Sequence, residues 1–268
     1  MFNPFQKLEL IKAEVFMSMP AKFRKKSRTA WSDPNRQGAE VECFLEGPSF
    51  DREGNLWFVD IPFGRIFRIT PKGEWELVTQ YDGWPNGLKF HKDGRAFITC
   101  YKQGLLCLDT KTGKKLWKYE HRLPDGIMPC CDVINRGAAL FDNLVIFATL
   151  DAQLVALNQD TGAVVWKEKI DEYSAGYSAS AAPLIAGGLL LTGVSGGEFG
   201  VIGRVEARDP KTGKMVWVRP VVEGHMGYKY EGGKAVENGI SGTTNKTWPG
   251  DLWKSGGATT WLGGTYDP

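Results

Sequence analysis

Three histidines and five cysteines in 268 residues leave little material for several kinds of protein. The histidines stand at 91, 121 and 225, far from any metal-ligand spacing, and read as solvated side chains. The cysteines are too few for a disulfide framework, and their odd number leaves at least one unpaired within the chain. No apolar run approaches the roughly 18–20 residues that span a bilayer. The first 26 residues mix charges into every short apolar stretch, so no signal-peptide core is expected there. Net charge is only +2, from 33 Lys and Arg against 31 Asp and Glu. That is too little for a nucleic-acid binder driven by bulk charge, which needs many phosphate contacts. Helical periodicity is nearly missing as well: only residues 4–17 could form a helix. What is abundant is glycine (33), tryptophan (10) and aromatic side chains generally (12%), a composition suited to a turn-rich β protein.

Repeats organise the chain. Cys107-x-Asp109-x-x-Thr112-Gly113-x-x-x-Trp117, Ala156-x-Asn158-x-x-Thr161-Gly162-x-x-x-Trp166 and Ala207-x-Asp209-x-x-Thr212-Gly213-x-x-x-Trp217 share one template, with tryptophans 49 and 51 residues apart. Tyr266-Asp267-Pro268 matches the start of a fourth copy. In each copy a short apolar strand meets a polar turn, and a second strand ends in Trp. The Asp or Asn can accept hydrogen bonds from the turn amides, and the Gly allows the positive φ that such turns need. A second repeat lies upstream: Phe50-Asp51-Arg52-Glu53-Gly54 and Phe90-His91-Lys92-Asp93-Gly94 each precede an apolar strand, at a spacing of 40. The period thus changes between residues 98 and 112.

These spacings are those of four-stranded β-propeller blades. The expectation is an all-β, incomplete and partly open propeller of four to five blades. It divides into an arm (1–40), a first set of blades (41–108) and a second set (109–268). An open arc leaves a blade face bare at each end, where every uncovered large apolar side chain forgoes about 1.5–3 kcal/mol. The first 40 residues, a partner or further sequence must cover those faces; otherwise oligomerisation or aggregation follows.

From about residue 105 onward the chain resembles the quinoprotein alcohol dehydrogenases, eight-bladed propellers dependent on pyrroloquinoline quinone (PQQ) and calcium. The tryptophan template carries the resemblance, together with Cys130-Cys131-Asp132-Val133-Ile134-Asn135-Arg136-Gly137. The resemblance implies a vicinal disulfide between Cys130 and Cys131 lying flat on the quinone, and a hydrogen bond to the cofactor from Arg136. Ser180 falls where the family usually has a cofactor-binding Thr. Ser195-Gly196-Gly197-Glu198 matches a turn whose Glu ligates calcium, and Gly256-Gly257-Ala258-Thr259-Thr260-Trp261 matches a stretch whose Thr bonds the cofactor and whose Trp floors it. A planar, carboxylated quinone wants flat walls, cationic and hydroxyl donors at its edge, and an oxygen-liganded cation at its reactive carbonyl. In that family the catalytic Asp, an Asn ligand to calcium and a further basic contact lie beyond the Trp floor. No catalytic residue is therefore assigned here, and the expected dehydrogenase is catalytically incomplete. Such dehydrogenases usually work outside the cytoplasm, an address that residues 1–26 do not carry.

Residues 14–108 resemble the senescence marker protein and gluconolactonase family of metal-dependent lactonases, through Phe44-Leu45-Glu46-Gly47-Pro48-Ser49-Phe50-Asp51 and Trp84-Pro85-Asn86-Gly87-Leu88-Lys89. This implies a metal ligand at Glu46 and a polar pocket residue at Asn86. Plainer roles stay open throughout: buried free thiols for Cys130 and Cys131, a solvated turn carboxylate for Glu198, a core ring for Trp261, a structural ion pair for Arg136, and a strand-end carboxylate and turn amide for Glu46 and Asn86. Three functions are thus in play: an alcohol dehydrogenase with PQQ and calcium, a lactonase, and a non-catalytic fused or truncated propeller.

Overall fold

The structure, a computed structural model, describes residues 11–129, 133–225, 227–231, 234–237 and 244–267. Among the described residues four antiparallel sheets follow one another along the chain. The first joins β1 (Leu45–Phe50), β2 (Leu56–Asp60), β3 (Arg65–Ile69) and β4 (Trp75–Gln80). The second joins β5 (Pro85–Phe90), β6 (Arg95–Cys100), β7 (Gly104–Asp109) and β8 (Lys115–Tyr119), so residues on both sides of the expected 108/109 boundary build one sheet. The third joins β9 (Ala138–Phe141), β10 (Leu144–Ala148), β11 (Gln153–Asn158) and β12 (Val164–Lys169). The fourth runs β13 (Leu184–Ala186), β14 (Leu189–Gly193), β15 (Arg204–Arg208), β16 (Met215–Pro220), and continues into a hairpin of β17 (Tyr228–Glu231) and β18 (Lys234–Glu237). Each sheet is a simple up-and-down meander, the blade architecture expected for a partly open propeller.

Alternation along the central strands stacks the blades. In the second blade Ile98, Leu106 and Leu108 face Trp57, Val59 and Ile66 of the first. Their neighbours Phe97, Leu105 and Cys107 face Val145, Phe147, Val155 and Leu157 of the third. Ile146, Leu154 and Ala156 then face Leu190 and Val194 of the fourth. A strand buried on both faces must be apolar at every position, which is why β7 and β10 read as unbroken hydrophobic runs.

The tryptophan template has a mechanical meaning. Trp117 Nε1 donates to the carbonyl of Gln159 at 3.1 Å, and Trp166 Nε1 to that of Pro210 at 3.1 Å, each acceptor lying in the turn of the next blade. The ring lies against the turn glycine: a β-carbon on Gly162 would come within 2.7 Å of Trp117, and one on Gly213 within 2.7 Å of Trp166. Asp109, Asn158 and Asp209 accept from the turn amides as expected, and Gly113, Gly162 and Gly213 hold φ of 68°, 73° and 73°. The Trp does not end its strand, however; β8 and β12 run on past it to Tyr119 and Lys169. Between the first two blades the dock is made without tryptophan, the carbonyl of Val78 lying 2.6 Å from where a Gly113 β-carbon would stand.

The change of period lies in the connectors. Blades one and two are joined by residues 81–84, two and three by 120–137, and three and four by 170–183, while the blades themselves stay alike in length. The long 120–137 connector is pinned near its start, where His121 Nε2 meets Asp151 Oδ1 at 2.8 Å, and near its end, where Asn135 Nδ2 donates to the Ala148 carbonyl at 2.6 Å. His121 is therefore a buried inter-blade contact, with a side chain only 10% exposed, and not the solvated residue expected from its isolation in sequence.

One bare face is covered by the arm. Met17, Met19 and Phe23 pack on Phe58, Phe67, Ile69 and Trp75 of the first blade, and Phe23 meets Phe67 edge-on at 5.0 Å. Residues 11–17 form no helix; these methionines gain more from docking on a sheet than a short isolated helix would recover after its nucleation cost. The arm's own helix, α1 (Ser32–Asn35), is a single turn. Residues 4–10 of the helical expectation lie outside the described residues. No helix among the described residues is long and apolar enough to cross a membrane.

Two predictions follow from the contacts between blades. Gly162→Val forces a branched side chain into both a positive φ and the Trp117 ring, and should cost about 2–4 kcal/mol, read as a lower denaturation midpoint with a red-shifted tryptophan emission. Burial opposes ionisation of Asp151, but hydrogen bonding from His121 and Thr149 outweighs it and holds the carboxyl below its usual range. A carboxyl so lowered stabilises the fold above its unfolded pKa of about 4 and ceases to as pH falls through the folded value. Asp151→Asn should therefore be less stable than the parent at pH 6, with the difference closing at acid pH, as followed by melting temperature across pH 3–7.

Candidate functional site

The two long connectors bring Arg136 and Ser180 together. Arg136 N donates to the Ser180 carbonyl at 3.0 Å and its Nη1 to Ser180 Oγ at 2.9 Å. The backbone behind is held by Thr99 Oγ1, which donates to the Asn135 carbonyl at 2.6 Å. Gly87 closes the fit: a β-carbon there would lie 2.4 Å from the Arg136 carbonyl carbon. The guanidinium projects over the Trp261 ring at 5.0 Å from its centroid. Among the described residues no carboxylate pairs with Arg136, so a fixed cation faces an indole that is 38% exposed.

Trp261 is carried by a segment that crosses the outer face of the fourth blade. Thr260 Oγ1 donates to the Arg204 carbonyl at 2.5 Å and accepts from Val194 N at 3.3 Å. A β-carbon on Gly193 would stand 2.1 Å from the Thr260 carbonyl, so only glycine lets this crossing lie so close. Beneath it lies a buried charge network. Glu206, 1% exposed, accepts from Arg204 Nε at 2.8 Å and Arg208 Nη2 at 2.8 Å, and Arg204 also reaches Asp171 at 2.8 Å. Arg208 Nη2 donates to the Lys169 carbonyl at 3.0 Å, tying the third blade to the fourth. Arg204, Glu206 and Arg208 at alternate positions of β15 were a visible signal in the sequence that they share one face, though the network they form was not expected.

The Ser195–Glu198 turn lies alongside. Thr259 packs on Gly197, where a β-carbon would meet its Oγ1 at 3.3 Å. Ser195 is fully buried, its hydroxyl 2.8 Å from that of Ser178, and Gly196 (φ 108°) gives the Gly176 carbonyl room. These two residues build the turn. Glu198 is exposed at its tip, in a short 3-10 turn of Gly197–Phe199, and holds no ion pair among the described residues. Arg136, Ser180, Gly197, Thr259 and Trp261 are thus gathered in one place, with Glu198 at its rim. Cys130 and Cys131 lie outside the described residues.

Glu46 and Asn86 sit elsewhere, sharing a cavity of about 300 Å³ between the arm and the first two blades, walled by Trp31 and Trp84. Asn86 is buried, and its side-chain amide has no hydrogen-bond partner among the described residues. No group of three or more His, Cys, Asp or Glu that could hold a metal occurs among the described residues. The three described cysteines, Cys43, Cys100 and Cys107, are free, and burial pushes each thiol up, Cys107 to about 11, which denies them nucleophilic thiolate character.

Comparison with known proteins places this geometry. Residues 49–238 match the family PQQ_2, described as outer membrane protein assembly factor BamB, a match that runs unbroken across residues 98–112. The quinoprotein alcohol dehydrogenase PedH of Pseudomonas putida is 62% identical over 178 residues, 66% of this chain and 30% of that protein. A quinoprotein ethanol dehydrogenase of the same species is 41% identical over 218 residues, 76% of this chain and 34% of that protein. Among solved structures, a europium-containing methanol dehydrogenase aligns with a TM-score of 0.53 and 32% identity over 66% of this chain and 34% of its own. BamB from Moraxella catarrhalis aligns with a TM-score of 0.55 at 15% identity, a likeness of fold, covering 74% of this chain and 66% of its own. The chain spans about a third of the length of these dehydrogenases. It belongs to the PQQ_2 family of β-propellers, on the side of the quinoprotein alcohol dehydrogenases.

Proposed function

We propose that the chain supplies one wall of a PQQ- and metal-dependent alcohol dehydrogenase site, oxidising an alcohol to an aldehyde. The observation that carries this reading is Arg136, clamped by Ser180 over Trp261 with no carboxylate to neutralise it among the described residues. An unpaired guanidinium over an accessible indole suits a flat, anionic guest, which would take the charge and stack on the ring. The residues present therefore fit the quinone: Arg136, Ser180 and Thr259 as edge donors and Trp261 as floor, with Cys130 and Cys131 proposed as the opposite wall. PQQ, when bound, supplies the electron-accepting carbonyl. Glu198 offers one oxygen to a hard cation such as calcium or a lanthanide, which needs several more ligands than this chain provides around it. No residue described here is assigned as the base that removes the hydroxyl proton.

A lactonase reading has one observation in its favour, the shared cavity of Glu46 and the unpartnered Asn86. Against it, a divalent ion held by a single carboxylate and an amide would be weak.

Titration with PQQ and calcium should quench tryptophan fluorescence and raise the melting temperature, since a ligand at a hundred times its Kd adds about 2.7 kcal/mol. Arg136→Ala and Trp261→Ala should each weaken PQQ binding at least tenfold. No quenching and no thermal shift at high micromolar PQQ would refute the proposal. Metal-dependent lactone hydrolysis lost in Glu46→Gln would favour the second reading instead.

A further inference from the structure

Two register breaks lie side by side in the first two blades. β1 slips between Glu46 and Ser49, and β5 slips between Pro85 and Leu88. Such a bulge re-aims the side chains beside it. The two are in close contact: a β-carbon on Gly47 (φ 61°) would stand 2.6 Å from the Asn86 carbonyl oxygen. Glu46 and Asn86 both line the cavity of about 300 Å³ that Trp31, Phe44 and Trp84 wall, and Arg36 reaches it from the arm. Its polar members are all unspent. Asn86 is only 6% exposed, yet its amide hydrogen-bonds to no group among the described residues. An amide so buried gives up hydration without replacement, and a bound guest would restore those hydrogen bonds. The half-buried Glu46 carboxylate and the Arg36 guanidinium, 5.2 Å from the Phe44 ring centroid, hold no ion pair among the described residues. Opposite charges that line one cavity and do not meet leave a gap with a positive and a negative end.

A guest with one charge satisfies one end of that gap, and a neutral guest satisfies neither. A metal ion would find one carboxylate and one amide, with the Arg36 cation opposing it. We infer that this cavity binds a free α-amino acid with an apolar side chain, its ammonium on Glu46 and the Asn86 amide oxygen and its carboxylate on Arg36. A guanidinium grips a carboxylate through paired N–H donors. Asn86 suits the middle position, because an amide carries both an acceptor and two donors. The walls favour the remainder of the guest: aromatic faces attract an ammonium and accept an apolar side chain. Between such walls ionic contacts are stronger than in open water. The site uses neither PQQ nor a metal, so it stands independently of the dehydrogenase reading.

The test is calorimetric titration of the full chain, without PQQ or metal, with L-leucine, L-leucinamide and N-acetyl-L-leucine. Leucinamide keeps the ammonium and lacks the carboxylate, whereas N-acetyl-leucine keeps the carboxylate and lacks the ammonium. Leucine should bind saturably and about tenfold or more tightly than either, the margin expected of a charge-assisted hydrogen bond. Glu46→Gln should weaken leucine binding about tenfold and leave N-acetyl-leucine unchanged. Arg36→Gln should weaken leucine as much and leave leucinamide unchanged. Arg36 is exposed and Glu46 half-buried, so both variants should melt like the parent. Equal affinity for the three ligands would reduce the cavity to an apolar hollow and overturn the inference. So would the lack of saturable leucine binding at millimolar concentration, a Glu46→Gln variant that binds leucine like the parent, or tighter binding of a neutral sugar lactone than of leucine. A parallel PQQ titration keeps the two readings apart. Leucine binding without PQQ binding refutes the dehydrogenase reading alone, and the converse refutes this inference alone.

Discussion

One contact sets how the last three blades stack: a tryptophan of one blade resting on the turn glycine of the next. Trp117 on Gly162 and Trp166 on Gly213 are each fixed by an indole hydrogen bond to a turn carbonyl. The contact is possible only because glycine carries no β-carbon and tolerates φ near 70°. It sets the spacing and rotation between blades at their outer ends, while the apolar strands settle against one another further in. An inter-blade geometry fixed in this way lets two connectors that are far apart in sequence meet reproducibly.

Those connectors carry the chemistry. The blades are alike in length, and the extra residues that stretch the repeat from 40 to about 50 are spent between them, in 120–137 and 170–183. The first presents Arg136, the second Ser180, and their mutual hydrogen bonds make one site from two loops. The buried Arg204–Glu206–Arg208 network serves the same end from below: it anchors the strand whose Arg204 carbonyl receives Thr260 and so presents Trp261. A charged network is a costly foundation in a low-dielectric interior, and it holds here because each guanidinium has several acceptors.

Much of this was legible beforehand. The blade count, the all-β class and the Asp–Thr–Gly turns followed from motif spacing, because local turn chemistry dictates hairpins directly, whereas Arg136, Ser180, Thr259 and Trp261 were singled out only through the resemblance to the quinoprotein dehydrogenases. The shift of period was read as a seam between two families, whereas the geometry traces it to connector length and the PQQ_2 match runs across it. Ser195 and Gly196 stood in the motif beside Glu198, but one is buried against Ser178 and the other makes room for Gly176. His121, which looked solitary, has a partner 30 residues away.

The amino-acid order by itself determined which segments become strands, where they turn, and which side of each strand is apolar, since alternation and turn residues act within a few positions. Tertiary structure alone decided which loops meet, that the arm packs on the first blade, and that Phe199, Tyr173 and Met128 ring a shared hollow. These depend on contacts between residues tens of positions apart. Such contacts are set by how the sheets stack, and no local pattern records them.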